Sequence, residues 1–202
     1  MSVCKVYIAS SRPIGVRCRD WALQNMPEGF QLVQSEIECD IFISVMYDRL
    51  LSEEFIASKK ACFNFHPGIL PQYRGAGAFS WAILNGDHTF GVTLHELDKS
   101  IDHGRILTKM SMPIDKHATA EDLYNIGMEM IFKLFTDHFH DLLAGTDRYK
   151  LEEQDESLAK IYYKKDLARA QDLTRFVRAF TFTGKPNAYY YDHTGRKIEL
   201  LY

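Results

Sequence analysis

Short runs of β-branched and aromatic residues alternate with amphipathic stretches through the first third of the chain. Strands are predicted at residues 3–9, 30–33, 40–45 and 61–66. Residues 16–26 carry apolar side chains at helical spacing, and a second, short helix is predicted to begin after Ser52, a residue type that caps helices. The nearly continuous apolar run at 40–45 is typical of a central strand that is covered on both faces. This alternation favours an α/β fold built on a parallel sheet.

The rest of the chain continues the pattern and ends differently. Helices are predicted at 75–85 and 119–145, and strands at 91–97 and 109–114. After a polar linker at 148–160 come a short strand at 161–165, a helix at 172–180 and a hairpin that turns at 192–195. We therefore predict an α/β, Rossmann-like, mostly parallel sheet with helices on both faces, plus a small C-terminal helix and β-hairpin. The expected units are a catalytic domain at 1–150 and an extension at 151–202.

Three polar residues at predicted strand ends are candidates for chemistry. Asn64 and His66 project to the same side because strand side chains alternate, and Asp102 follows a later strand on a polar loop. The carboxyl ends of parallel strands are where ligands bind in such sheets. Acyl transfer passes through an oxyanion, which needs a hydrogen-bond donor and a group that accepts a proton, and an amide, an imidazole and a carboxylate can supply both. Asn-x-His alone is also found as a turn cap beside a core histidine.

Five ordered blocks extend this observation. They are Asn64-x-His66-Pro67, Leu70-Pro71, Arg74-Gly75-Ala76, Gly91-Val92-Thr93-x-His95 and Ile101-Asp102-x-Gly104-x-Ile106. Together they resemble the formyltransferase family, whose members use N10-formyltetrahydrofolate. The resemblance implies that Asn64 binds the formyl oxygen. It further implies that His66 stabilises the oxyanion or takes the amine proton, and that Asp102 orients His66 and relays protons.

The same resemblance implies two sets of binding residues. The residues expected to hold the folate co-substrate are Met46, Tyr47, Arg49, Leu50, Leu97 and Ile101. The residues expected to contact the acceptor are Arg74, Gly75, His103, Lys185, Asn187 and Tyr189. From the residues alone, the aromatic tail could stack a base and hold a pyrophosphate, or form a structural hairpin. Its helix and the following Pro186-Asn187-Ala188-Tyr189 resemble nucleotide-linked amino-sugar formyltransferases, a subset of which has histidine at the position of His103.

Composition narrows the classes of partner. The chain has 202 residues, a formal charge of −3 and 46% hydrophobic residues. This charge argues against binding to nucleic acid, and no apolar run approaches the ~18 residues of a membrane span. No signal peptide is visible, so we expect a cytoplasmic protein. Cysteines 4, 18, 39 and 62 lack metal-ligand spacing and no other metal motif is present, so we expect no metal.

We therefore expect transfer of a formyl group from N10-formyltetrahydrofolate to the amine of a nucleotide-linked deoxyamino sugar, with dTDP as the expected nucleotide and lipopolysaccharide O-antigen as the destination. Three alternatives stay open: another acceptor, either methionyl-tRNA or glycinamide ribonucleotide; hydrolysis of formyltetrahydrofolate; and a non-catalytic nucleotide-sugar or folate-binding module. A homodimer is compatible with each. Relatives have a longer stretch before Asn64, so a strand–helix unit is expected to be missing from the N-terminal half.

Overall fold

A six-stranded sheet forms the centre of the protein. The computed structural model describes residues 3–162 and 172–200, so the predicted strand at 161–165 lies partly outside the described residues. The strands are β1 Cys4–Ala9, β2 Phe30–Leu32, β3 Ile41–Val45, β4 Ala61–His66, β5 Arg74–Gly75, β6 Thr89–Glu96, β7 Ile106–Pro113, β8 Ile161–Tyr162, β9 Tyr189–Tyr191 and β10 Lys197–Glu199. The order in the main sheet is β2-β1-β3-β4-β6-β7, and β6 alone runs antiparallel to its neighbours there. Two smaller pairs are β5 with β8, and the hairpin β9–β10.

Helices cover both faces of this sheet. They are α1 Pro13–Gln24, α2 Glu53–Ala57, α3 Ala78–Asn85, α4 Ala120–Ala144 and α5 Leu173–Ala179. The larger core lies between one face and helices α1, α3 and α4, where Phe65, Phe135 and Phe139 are fully buried. A smaller core on the other face packs α2 against Phe42 and Cys62. The predicted α/β fold, with its C-terminal helix and hairpin, is therefore confirmed.

The boundaries differ from prediction where glycine decides the backbone. The predicted helix at 75–85 begins at Ala78, because Gly75 and Gly77 have φ values of +85° and +86°, which a helix cannot contain. Gly75 instead lies in β5, a strand that the sequence pattern did not predict. Thr119 caps α4 as expected, and its side chain forms a reciprocal capping box with Asp122.

The second face of the sheet is where the polar residues of β4 and β6 project. In the register of β3 and β4, Phe42 lies beside Cys62 and Ser44 beside Asn64. The even-numbered residues of β4 therefore share the face of the smaller core. Strand β2 passes into β3 through residues 33–40 without a helix between them. Near the carboxyl end of β4, this face is left to loops and polar side chains.

The C-terminal helix α5 packs against α3 and the segment that precedes α4. Ser80 of α3 donates a hydrogen bond to the carbonyl of Ala179 at 2.7 Å, and Arg178 donates to the carbonyl of Ala118 at 3.0 Å. Within the described residues, no helix is long and apolar enough to cross a membrane.

Candidate active site

Two adjacent strands place an amide and an imidazole side by side. Strand β6 pairs with β4 so that His95 lies opposite Asn64, and Thr93 opposite His66. All four side chains point to the second face of the sheet, because residues paired across strands share a face. Thr93 donates to the carbonyl of Gly68 at 2.7 Å and accepts the N–H of Leu70 at 3.2 Å, which fixes the loop after β4.

Asp102 reaches the same point although it is far away in sequence. Its carboxylate accepts hydrogen bonds from the Asn64 side-chain amide at 3.2 Å and from the Gly75 N–H at 2.8 Å. The Asp102 Oδ2 atom lies 3.4 Å from His66 Nδ1. Asp102 has φ +48°, which aspartate tolerates better than most residues. The structure thus brings the three predicted catalytic residues together at one place.

The loop that carries Asp102 depends on a close backbone approach. A Cβ atom at Gly104 would lie 1.9 Å from the carbonyl oxygen of Glu96, so no other residue fits without moving the loop. The positive φ of Asp102 costs free energy, of order 1–3 kcal/mol for residues in sparsely populated regions. Met46 also has a positive φ, +55°, and is one of the predicted folate-binding residues. Strain of this kind concentrates at functional sites.

His66 is held in one tautomer. It is 3% exposed, and its Nε2–H donates to the carbonyl of Tyr73 at 2.6 Å. Nδ1 is then the ring atom that can accept a proton, and it faces Asp102. Burial lowers the pKa of His66, an effect that the Asp102 carboxylate opposes. The imidazole is therefore neutral at neutral pH. When Nδ1 takes up a proton, the resulting N–H faces the Asp102 carboxylate.

Asp102 is an ionised carboxylate in a buried place. Burial by itself raises its pKa. The positive charge that His66 takes up in acid, the neighbouring His95 and the hydrogen bond from the Gly75 N–H outweigh burial and leave the pKa of Asp102 below its usual range. Its side chain is 13% exposed, more than that of His66 at 4%. Asp102 is thus the member of the pair nearer to solvent.

His95 belongs to this cluster, although the sequence favoured a structural or exposed role over that of a ligand. It is fully buried, its Nδ1–H donates to the carbonyl of Glu96 at 2.7 Å, and its Nε2 accepts from the Asn64 amide at 3.1 Å. Both hydrogens of that amide are therefore directed, one to His95 and one to Asp102. The alternation of His95 with Leu94 along the strand had indicated that His95 could face the site, and its pairing with Asn64 agrees with this.

The predicted folate-binding residues lie on two loops beside the cluster. The carbonyl of Met46 accepts the N–H of Ser11 at 3.1 Å, and the Tyr47 hydroxyl hydrogen-bonds to Glu36 at 3.0 Å. The Arg49 guanidinium lies 6.0 Å from the centre of the Tyr47 ring. Leu97 donates its N–H to the carbonyl of Cys62 at 2.9 Å, which starts the Asp102 loop. Two apolar side chains of these loops are in contact with solvent, Leu50 at 81% exposure and Ile101 at 36%.

The residues predicted to contact the acceptor fall into two groups. Gly75 lies in the cluster through its bond to Asp102, whereas Arg74 is 4% exposed and faces away to a later segment. The Arg74 guanidinium donates to Gln154 at 2.9 Å and, with two nitrogens, to Glu156 at 2.6 and 3.1 Å. His103 Nε2 lies 3.3 Å from the same Glu156 carboxylate. No sequence pattern had singled out Gln154 or Glu156.

The hairpin residues form the second group. Lys185 donates its N–H to the carbonyl of Phe182 at 3.1 Å, and the Tyr189 ring packs edge-on against Tyr191 with centroids 5.7 Å apart. Lys197 lies 4.4 Å above the Tyr189 ring. Lys197, and to a smaller extent the Asn187 side chain, lower the pKa of Glu199. These described partners belong to the C-terminal extension, so the role of this group toward an acceptor stays a prediction.

A separate cavity of about 530 Å³ lies at the other end of the parallel strands, where β1, β3 and β4 begin. It is lined there by Cys4, Ile41 and Ala61, and by Leu142 at the end of α4. It shares Leu97 with the predicted site but none of the three catalytic residues. Among residues 3–162 and 172–200, no three His, Cys, Asp or Glu side chains are grouped so as to hold a metal ion.

Comparison with known proteins agrees with this geometry. The formyl transferase family model matches residues 19–137, more than half of the chain, so the chain belongs to the formyl transferase family. It is 42% identical over 91 residues to the bifunctional polymyxin resistance protein ArnA of Wigglesworthia glossinidia brevipalpis, which covers 45% of the chain and 14% of that protein. It is 30% identical over 167 residues to the methionyl-tRNA formyltransferase of Clostridium tetani, which covers 79% of the chain and 53% of that protein. The matched part thus spans between a seventh and about half of these relatives.

Solved structures share the fold. A 4-N formyltransferase from Francisella tularensis superposes with a TM-score of 0.83 at 18% identity, covering 99% of this chain and 97% of the other. WlaRD, a sugar 3N-formyl transferase solved in the presence of dTDP and 5-N-formyl-THF, gives 0.76 at 24% identity, covering 90% and 81%. An N-formyltransferase from Helicobacter canadensis, solved with folinic acid and dTDP-3-aminofucose, gives 0.74 at 22% identity, covering 90% and 81%.

Proposed function

We propose that this protein transfers a formyl group from N10-formyltetrahydrofolate to the amine of a nucleotide-linked deoxyamino sugar. The observation that carries the proposal is the convergence of Asn64, His66 and Asp102, with Asp102 3.2 Å from the Asn64 amide and 3.4 Å from the His66 ring. An amide donor, a neutral imidazole and an ionised carboxylate are the groups that acyl transfer between amines requires.

The contacts of each residue define its proposed role. Asn64 has one N–H anchored by His95, so its other N–H, now directed to Asp102, is available to the oxygen of a formyl group. The amine nitrogen bonds to the formyl carbon while the bond from that carbon to the donor nitrogen breaks. The proton lost by the amine passes to the pair of Asp102 and His66, where Nδ1 is the accepting atom. The same pair returns a proton to the departing nitrogen.

The proposed donor site lies on the two loops that flank this cluster. Leu50 and Ile101 expose apolar surface there, which a pterin ring would cover. Met46 holds a positive φ within the first loop, and such backbone conformations concentrate at functional sites. We assign folate binding to Met46, Tyr47, Arg49, Leu50, Leu97 and Ile101.

The choice of acceptor rests on similarity to proteins that act on sugars. The structures of WlaRD and of the Helicobacter canadensis enzyme were determined with dTDP or a dTDP-linked amino sugar. The C-terminal hairpin carries the aromatic and basic residues, Tyr189 and Lys185, that we assign to the nucleotide. Methionyl-tRNA is the second candidate, because several relatives by sequence are methionyl-tRNA formyltransferases. The net charge of −3 favours a small acceptor over tRNA. We also expect the protein to act in the cytoplasm.

An acceptor screen tests this proposal. Purified protein is incubated with N10-formyltetrahydrofolate and either dTDP- or UDP-linked 3-amino and 4-amino sugars, methionyl-tRNA, glycinamide ribonucleotide or no acceptor, and formylated product and free formate are both measured. We expect product with a nucleotide-linked amino sugar. Formate release at the same rate without acceptor would identify a hydrolase instead. Absence of donor binding by calorimetry would identify a non-catalytic module.

Variants of two residues complete the test. We expect Asn64→Ala to lower turnover by about 100-fold or more, because removal of one oxyanion donor costs about 3–4 kcal/mol. We expect a loss of about 100-fold or more for His66→Ala as well, because a positioned acid–base group contributes about 10²–10⁴-fold. His88 is exposed on the turn before β6, so His88→Ala is a matched control and should keep wild-type turnover. Near-wild-type turnover in a folded His66→Ala protein would refute the assigned role.

A further inference from the structure

The segment at 151–162 crosses the edge of the active site and is tied to it at several points. Glu152 exchanges two backbone hydrogen bonds with Ile106, both 2.9 Å long, at the start of β7. The backbone carbonyl of Lys160 accepts the N–H of Arg74 at 3.0 Å, and the next residue begins β8, which pairs with β5. Between these two points lies Gln154. The sequence had predicted a surface linker here, and the segment lies outside the part of the chain that the family model matches.

Gln154 contacts the backbone of the Asp102 loop on both sides of the turn. Its side-chain amide nitrogen donates to the carbonyl of Asp102 at 2.9 Å and to the carbonyl of Gly104 at 2.8 Å. Its side-chain oxygen accepts from Arg74 Nε at 2.9 Å. Every strong hydrogen-bonding group of this amide therefore has a partner.

Arg74 fixes the orientation of the Gln154 amide. A guanidinium has no acceptor, so the Gln154 oxygen must face Arg74 and the two N–H groups must face the loop carbonyls. Arg74 itself is buried and held by both carboxylate oxygens of Glu156. Bidentate pairs of this kind have a fixed geometry. Glu156 therefore holds Arg74, Arg74 orients the Gln154 amide, and Gln154 in turn binds the Asp102 loop.

From these contacts we infer that Gln154 is a positioning residue for the reaction: it holds Asp102 in the strained backbone conformation that aims the carboxylate at Asn64 and His66. The inference rests on the proposed function of Asp102. A residue with positive φ returns toward ordinary backbone regions unless its surroundings hold it. Gln154 holds the carbonyl of Asp102 itself, and thus the peptide unit next to the Cα that carries the carboxylate.

A double-mutant cycle separates this role from a merely structural one. Gln154→Glu keeps an oxygen for Arg74 but has no N–H for the two carbonyls. We expect kcat to fall by about 10–100-fold, as small misplacements of catalytic groups do, with KM for both substrates within about twofold. In the Asp102→Asn background the same change should cost less than about twofold more, because Gln154 acts through Asp102. Glu152→Gln, in the same segment with its side chain toward Lys109, should leave kcat unchanged.

A second measurement does not depend on activity. Asp102 accepts the Gly75 N–H, so loss of its position should raise hydrogen exchange at the Gly75 amide about tenfold or more in Gln154→Glu, as we also expect in Asp102→Ala, which removes the acceptor. Gln154→Met, of similar length and without polar donors, gives the same readouts if Gln154→Glu fails to fold. Unchanged Gly75 exchange in a folded Gln154 variant, or fully additive losses of kcat, would overturn the inference. If the wild-type protein transfers no formyl group to any acceptor, the proposed function is refuted instead. The hydrogen exchange of the Gly75 amide would still decide whether Gln154 positions Asp102.

Discussion

Replacement of Asp102 by asparagine removes one charge and the second acceptor oxygen, which the Asn64 amide uses, and leaves the size of the side chain nearly unchanged. Asparagine has nearly the same volume and tolerates a positive φ, so the loop at +48° keeps its backbone. Its side-chain oxygen can still accept the Gly75 N–H. What the variant lacks is the negative charge 3.4 Å from His66 Nδ1, the atom that we assign to accept the proton.

The size of the effect follows from that charge pair. An opposite charge within ~4–6 Å changes a pKa by about 1–3 units, which corresponds to about 1.4–4 kcal/mol. If the whole of this stabilisation is present when His66 carries the proton in the transition state, kcat falls by about 10- to 1,000-fold. We expect a value near 100-fold. The variant should still fold, because a lost charge-assisted hydrogen bond costs about 1.5–3 kcal/mol against a typical total of about 5–15 kcal/mol.

The assay measures kcat for formyl transfer and the free energy of unfolding in urea for the same preparation. Asp115→Asn is the control, because Asp115 is exposed and its side chain accepts the backbone N–H of His117. The pKa of Asp102 is lowered in the folded state, so its stabilisation is present at neutral pH and is lost as the pH falls below the usual value of 3.8 toward the folded-state pKa. The stability difference between wild type and Asp102→Asn should therefore shrink in acid. A folded Asp102→Asn protein with kcat within threefold of wild type would refute the reasoning.

Three further predictions concern stability and reactivity. Thr119→Ala removes the cap of α4 and should lower the free energy of unfolding by about 1 kcal/mol with kcat unchanged, measured by urea denaturation. Gly104→Ala places a Cβ against the Glu96 carbonyl and should lower stability by about 1–3 kcal/mol and kcat together, so an unchanged kcat would contradict the fit of this loop. Burial raises the pKa of Cys18 and of Cys62 to about 12, so the native protein at pH 8 should resist iodoacetamide at both positions, whereas urea-unfolded protein should be labelled there, as mass spectrometry would show.

The parts of the site that a local pattern determines could be predicted from the sequence. Strand alternation placed Asn64 and His66 on one side, and the register of β4 with β6 confirms that they share a face. The apolar run of β3 predicted a central strand, and all five of its residues are buried. Within α4, the helical spacing of the apolar residues predicts that Ile126 is buried, but it is 37% exposed. The neighbouring Gly127 lies on the buried side instead, where a Cβ would meet the Phe79 ring at 2.7 Å.

Contacts between distant segments could not be read from such patterns. Asp102 lies 38 residues from its partner Asn64. Its place on a polar loop after a strand made it a candidate, but its expected role came from the resemblance and not from periodicity. Arg74 looked available for an anionic acceptor because nothing in the sequence indicates that Glu156, 82 residues later, pairs with it. The polar composition of 148–160 is typical of a linker, and its hydrogen-bonding groups find partners in the site only once the sheet has formed.

The direct passage from β2 to β3 and the predicted catalytic cluster are physically separate features of this fold. In the described residues, the groups that hydrogen-bond to the side chains of Asn64, His66 and Asp102 lie in β4, β5, β6 and the loops after β4 and β6, and Gln154 bonds the Asp102 carbonyl. The direct passage from β2 to β3 at 33–40 lies before all of them, and meets the site through Tyr47, whose hydroxyl bonds Glu36. We therefore expect the direct passage from β2 to β3 to affect the proposed folate loop more than the proposed proton transfer. Affinity for the donor and the rate of the chemical step should then respond to changes in different parts of the chain.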